Sequence, residues 1–302
     1  MSATTDLILE RRQIRRRLAF WRIAAIIAIV AAVIAMIPRT IGSGRDDHLA
    51  RIRVDGMIFD DLLRDQILSE LAELERVKGV IVHINSPGGT VAGSEALYEG
   101  LRKVAAQKPV VAVMSEAAAS GGYITAIAAD HIVARGNTLT GSIGVIAEIP
   151  NIVGLMEMLG IDVTRVKSAP LKAEPSFTTR PGAAVLIAEQ ALIDDTFVWF
   201  KDLVAERRGL AGSALDEVTD GRVFTGRQAL TLGLIDAIGD EETARDWLAE
   251  NRDLPVDLDV VDYDWSESPL PWPMGLLEES LASFMPSRPV LSPGLRLYAI
   301  IQ

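Results

Sequence analysis

Apolar and polar positions change period along the chain, and each block predicts an element. From Leu18 to Ile37, 20 consecutive residues are apolar except Arg22. As a helix rising about 1.5 Å per residue, this run crosses a hydrocarbon core about 30 Å thick. Arg22 lies one turn inside and is placed to snorkel toward the headgroups. Pro38 and Arg39 close the run, and Arg11, Arg12, Arg15, Arg16 and Arg17 precede it. That charge bias predicts a cytoplasmic N-terminus and an exported body. A cleaved signal peptide is the rival reading. The run is long for one, and its small-x-small cleavage signals are poor.

Beyond a short Gly- and Asp-containing linker, apolar runs of strand length alternate with helical periods. Strands are predicted at 51–58, 80–85, 110–114, 131–134, 163–166 and 256–261, with a glycine-punctuated loop at 139–145 entering another and a strand-like piece at 234–236. Helices are predicted at 62–77, 91–106, 123–129, 152–159, 183–208, 225–232 and 241–251. Residues 168–182 hold Pro170, Pro175 and Pro181 and read as a loop. The tail carries one amphipathic helix, about 274–284, and ends in apolar Leu297-Tyr298-Ala299-Ile300-Ile301. Strands alternating with helices indicate an α/β layer fold.

Composition narrows the chemistry. The chain has 302 residues and no cysteine, which excludes a thiol nucleophile, a thiolate metal site and disulfides. Residues 1–22 hold six arginines and two acids, leaving 24 basic against 39 acidic residues in the body. An acidic body argues against nucleic-acid partners. No H-E-x-x-H pattern or acidic cluster has metal-ligand spacing, so no metal is expected.

The stretch from Met114 to Tyr123 stands out. A buried strand runs through small residues into Ser120, Gly121 and Gly122, and a helix follows. A serine on such a turn can expose its hydroxyl beside the free N–H groups of a helix start, although G-x-S-x-G is absent. An ordinary serine cap is the alternative. A nucleophilic Ser120 would need a base. The three histidines offer a weak triad: His48 reads as a solvated linker residue, His83 as a hydrogen-bonded core residue and His131 as solvent-facing. Lysine serves as a base when burial favours its neutral form, whereas arginine stays protonated. There are six lysines. Lys78, Lys103, Lys108 and Lys201 read as solvated helix residues, and Lys167 and Lys172 lie in or beside the proline-rich loop. No serine has a lysine three residues later. Ser86-Pro87-Gly88-Gly89, between a strand and a helix, could supply N–H donors to an oxyanion, bind phosphate or simply turn the chain.

Four blocks in order carry a resemblance: N-S-P-G-G from Asn85, A-A-S-G-G-Y from Ala118, T-G-S-I-G-V from Thr140 and K-S-A-P-L-K from Lys167. With G-R-V-F-T-G-R-Q-A from Gly221 and G-L-I-D from Gly233, the chain resembles the bacterial signal peptide peptidase A family of membrane-bound serine peptidases over about 51–239. The resemblance implies an α/β fold of the Clp/crotonase type, with repeated ββα units after one transmembrane helix. It places the nucleophile on Ser120, the lysine base on Lys172, a lysine-orienting serine on Ser142 and the oxyanion hole on Gly89 and Gly121. It implies no cofactor. The family often has K-S-G where this chain has Lys167-Ser168-Ala169, and alanine enters positive φ less cheaply than glycine.

Read this way, residues 1–17 are a cytoplasmic basic segment, 18–38 the membrane anchor, 39–47 a linker, 48–262 a Ser-Lys peptidase domain and 263–302 a tail. The expected protein is a single-pass protein of the bacterial inner membrane with its catalytic domain exported. Its expected substrates are remnant signal peptides. Its short, single-repeat length resembles ring-forming members, which predicts a homo-oligomer pairing Ser120 with Lys172 of a neighbour. The alternatives are an inactive membrane-anchored scaffold and a crotonase-like acyl-CoA enzyme, which the export topology disfavours.

Overall fold

The computed structural model describes residues 47–265, with Trp21 and the backbone of residues 298–299. Among them no helix is long and apolar enough to cross a membrane. The anchor expected at 18–38, Trp21 apart, and the tail helix at about 274–284 lie outside the described residues.

The first three strands and their helices build the frame. Strand β1 (His48–Ile58) leads through helix α1 (Leu62–Glu73) to β2 (Val77–Thr90), and α2 (Val91–Ala105) to β3 (Val110–Ala119). Then follow α3 (Gly121–Ala126), β4 (His131–Ala134), β5 (Leu139–Gly141), α4 (Val153–Leu159) and the long α5 (Ala183–Arg208). The series closes with α6 (Ser213–Val218), β6 (Val223–Thr225), α7 (Gly226–Thr231), β7 (Ala237–Ile238), α8 (Glu241–Arg252), β8 (Asp259–Tyr263) and β9 (Tyr298–Ala299). Strands β8, β1, β2, β3, β4 and β7 pair in that order, all parallel.

Parallel strands covered on both faces need apolar residues on both. Val80, Ile81, Val82 and Ile84 of β2 are all fully buried. One face packs on α1, α2, α3 and the C-terminal half of α5, with Leu68, Leu97, Leu101, Tyr123 and Phe200 in the core. The other face, with Leu49, Ile81, Val111 and Val133, is closed by Ala244 and Leu248 of α8. Asp61 caps α1 by accepting from the Leu63 and Arg64 N–H groups, and Thr90 caps α2 through Gly93 N–H.

The long strands are irregular part-way along. Register shifts fall between Asp55 and Met57 in β1 and between Ile84 and Ser86 in β2. Past the break, Ala117–Ala119 of β3 pairs with β5, and β5 pairs with β6. β3 thus pairs with β4 before the break and with β5 after it.

Several boundaries depart from expectation. Ser86 to Thr90 belongs to β2 rather than to a turn. The strand expected at 163–166 is absent: these residues pair with no strand, and Val166 is 97% exposed. The piece expected at 234–236 forms as β7, which starts three residues later at Ala237, and Leu234 and Ile235 before it are core side chains. Helix α6 and strand β6 fall between the expected helices 183–208 and 225–232, where no element is predicted. The histidines also differ. His48 is buried, with Nε2 2.9 Å from the Tyr263 hydroxyl. His83 has the hydrogen bond expected of it, to Glu241 at 2.6 Å, but is only half-buried. His131 stacks on Trp247 at 4.7 Å, and burial pushes its pKa down. Lys108 is not a free surface lysine: it donates to the Leu71 and Leu74 carbonyls at 2.7 and 2.8 Å, closing the end of α1.

Candidate active site

Strand β3 ends in buried Ala118 and Ala119, and Ser120 makes the turn into α3. Its φ of 53° and ψ of −115° lie outside the regions a side-chain-bearing residue prefers, a cost of order 1–3 kcal/mol. The turn is held from both sides. Ser120 N–H donates to the Gly141 carbonyl at 2.8 Å, and the Ser120 carbonyl accepts from Tyr123 and Ile124, each at 2.9 Å. Tyr123 is wholly buried and donates to the Leu234 carbonyl at 2.9 Å, and its burial pushes the phenol pKa up. Arg207 donates to the Ile127 and Ala129 carbonyls at 2.7 and 2.9 Å, pinning the end of this segment to α5.

The glycines fit because backbones crowd here. A Cβ on Gly121 would stand 2.3 Å from Ser94 Oγ and 3.1 Å from the nitrogen of Gly89. A Cβ on Gly89 would meet the Ile58 carbonyl oxygen at 1.9 Å. The residue after Ser120 and the end of β2 therefore lie against one another, and only glycines allow it. Ser94, which fills the space beneath Gly121 and donates to the Thr90 carbonyl at 2.9 Å, escaped the sequence reading. It sits in an ordinary helical turn, with no motif to mark it.

Ser142 adjoins this cluster through Gly141. It is buried at positive φ, 50°, and its N–H donates to the Arg222 carbonyl at 2.8 Å. Ser120, Gly121, Gly89 and Ser142 thus gather at one end of the sheet. The Ser120 hydroxyl is sealed from solvent and has no hydrogen-bond partner among the described residues. A buried polar group without a partner is uncommon and calls for an explanation.

Lys172 does not join them. It is exposed in a turn whose N–H bonds to the Ala169 carbonyl at 3.1 Å. The surrounding loop is tied by Lys167 to Glu174 and by Arg165 to Ser176 and Thr178. The Lys167 ammonium holds the Glu174 carboxyl below its ordinary range. Positive φ in this loop falls on Ala173, at 59°, and not on Ala169. Two surface cavities lie away from Ser120: one of about 850 Å³ ringed by Lys78, Lys103 and Lys108, the other of about 260 Å³ beside His83, Arg135 and Glu241.

The sequence model of Peptidase family S49 matches residues 102–255. A Synechocystis sp. protein, provisionally named a protease, is 41% identical over 225 residues, covering 74% of this chain and 80% of its own. The chain belongs to peptidase family S49. The chloroplastic serine protease SPPA of Arabidopsis thaliana is 33% identical to this S49 chain over 234 residues, 72% of this chain and 34% of that longer one. The S49 membership and these relatives make the chain a serine peptidase. The Clp protease model matches residues 50–137, the stretch of β1 to β4, so the α/β fold is Clp-like. Among solved structures, a mutant of the 1510-N membrane-bound stomatin-specific protease aligns with a TM-score of 0.48 at 16% identity, over 72% of this chain and 98% of that one.

Proposed function

We propose that this S49 peptidase is anchored in the inner membrane and degrades remnant signal peptides on the exported side, with Ser120 as nucleophile and Lys172 as base. The observation that carries the catalytic reading is the Ser120 hydroxyl. It is buried, and unpartnered among the described residues, on a strand-to-helix turn at positive φ, beside a glycine pressed against Gly89. A core serine would have a partner there, whereas a nucleophile awaits a base and a carbonyl.

In this reading Ser120 Oγ attacks the scissile carbonyl carbon, and its proton passes to the neutral amine of Lys172. The carbonyl oxygen, now negative, accepts from the N–H groups of Gly89 and Gly121. Collapse breaks the C–N bond, and Lys172 returns the proton to the leaving amine. Water then attacks the acyl-Ser120 ester, with Lys172 as base again. Ser142 orients the amine. No step calls for a cofactor.

The lysine comes from a second copy of the chain. Two features support this: Lys172 is exposed and makes no hydrogen bond with the buried Ser120, and Leu155, Met158, Val166, Leu171, Leu186 and Ile187 of the same region are exposed apolar residues. A ring of chains would cover them and bring each Lys172 to a neighbour's Ser120. The run from Leu18 to Ile37 behind five arginines supports the anchor and its orientation.

Two measurements test the reading. A fluorophosphonate probe should label the detergent-solubilised full chain at Ser120 and leave Ser120→Ala unlabelled. The same preparation should cut a purified signal peptide. A chain that is neither labelled nor active would be an inert scaffold. A periplasm-dependent reporter fused after residue 60 should be active, and activity of a cytoplasm-dependent one there would reverse the topology.

A further inference from the structure

Two N–H groups can share one oxyanion only if the spacing between them is held. Gly89 lies at the end of β2 and Gly121 just beyond the end of β3, so one segment must be braced against the other. Ser94, in the first turn of α2, touches both. It is wholly buried, and its hydroxyl donates at 2.9 Å to the carbonyl of Thr90, the residue after Gly89. The same oxygen lies 2.3 Å from where a Cβ on Gly121 would stand. It therefore rests on the Cα hydrogen that takes that place.

Ser94 has no room to retreat. Gly93 before it is wedged against the chain leaving β1, where a Cβ would stand 2.5 Å from the Phe59 carbonyl carbon. The Gly93 N–H also donates to Thr90 Oγ1 at 3.2 Å, which fixes the start of the helix. Gly121 is held elsewhere as well. Buried Thr125 donates to its carbonyl at 3.0 Å. A Cβ on the following Gly122 would meet the Ser86 carbonyl oxygen at 2.6 Å.

We propose that Ser94 is a positioning residue, whose oxygen is the spacer that keeps the Gly89 and Gly121 N–H groups aimed at one oxyanion. It touches no reacting atom. It acts by fixing the donors, and so favours the charged transition state over the bound peptide. The inference rests on the roles of Ser120, Gly89 and Gly121 given above.

The test measures hydrolysis of a purified signal peptide by the full chain in detergent, with thermal melting of each variant. Ser94→Ala removes the spacer. Its kcat should fall about tenfold, with KM within about twofold of the unaltered chain, a smaller loss than removing a donor outright. Ser94→Cys carries a larger atom on a longer bond, pushes Gly121 the other way and should lower kcat too. It decides if Ser94→Ala does not fold. A swap gives the sharper readout. In Gly121→Ala the new methyl strikes the Ser94 oxygen, whereas with Ser94→Ala added it fills the space that oxygen left. The double variant should be about tenfold more active than Gly121→Ala alone, because residues in contact do not act additively. An unchanged kcat in the folded Ser94 variants, a change confined to KM, or losses that multiply in the double variant would overturn the proposal. If the unaltered chain neither takes a fluorophosphonate at Ser120 nor cuts the peptide, the nucleophile reading itself fails and the role of Ser94 falls with it.

Discussion

Ser120 is wholly buried, its hydroxyl unpartnered among the described residues, while Lys172, 52 positions further on, stands exposed in a loop turn. The distance between these two environments leads to the first expectation. Ser120→Ala and Lys172→Ala should each lose activity by about 10³-fold or more. Mixed under conditions that exchange subunits, the two variants should recover part of it, since some interfaces pair an intact Ser120 with an intact Lys172. Exchange confirmed by mass, with no recovery, would mean that the dyad forms within one chain. Lys172→Arg should stay inactive, because arginine does not give up its proton.

The crowding of Gly121 predicts a local defect. Alanine there would drive a methyl into Ser94 Oγ at 2.3 Å and toward Gly89 N at 3.1 Å. Gly121→Ala should cost about 1–3 kcal/mol of stability by overpacking. It should also cost about 10²-fold in kcat/KM, because an ångström of misplacement at the reacting atoms is enough for that. Thermal melting and peptide hydrolysis measured together check both. A stable, fully active variant would contradict the packing.

Acid should loosen the loop that bears Lys172. The Glu174 carboxyl is held below its ordinary range by its hydrogen bond from Lys167. A depressed carboxylate contributes order that is fully present above the unfolded value, about 4.3, and is lost as pH falls through the folded one. Amide exchange over 165–178 should therefore accelerate in the native protein below about pH 4 beyond its intrinsic pH trend. In Glu174→Gln the loop should exchange faster already at neutral pH and gain no further acceleration. Identical exchange in the two proteins at neutral pH would refute this role for the ion pair.

Asp236 joins three elements. Its carboxylate accepts from Arg208 at 2.7 and 3.2 Å and from the Ile132 N–H at 2.8 Å. Asp236→Ala strands a largely buried guanidinium and the Ile132 N–H, so unfolding free energy should fall by about 2–3 kcal/mol. Urea denaturation of the variant measures it. Labelling of Ser120 should persist below the new midpoint, because Asp236 touches no group of the proposed site.

Much of the site could be read from sequence because it is local. The small residues before Ser120, the glycines after it and the apolar run of β3 dictate a strand-to-helix turn through short-range sterics alone. Helix α5 was legible to the residue, 183–208, because a glycine precedes it and Gly209 ends it at φ 65°. Spacing also said that Lys172 sits in a proline-rich loop. What it left undecided depends on contacts between distant segments. His48 looked like a linker residue until Tyr263, 215 positions away, gave it a partner. Val163 to Val166 has strand composition but no neighbouring edge, and a strand without a partner ladder leaves its backbone groups unpaired. Ser94 under Gly121 and the tail strand beside Gly89 have no mark in the sequence, because backbone proximity leaves none. The residues determined the turn on which the chemistry sits. Only the tertiary arrangement decided what lies against that turn, since close approach of separate backbones is a property of packing and not of any one segment.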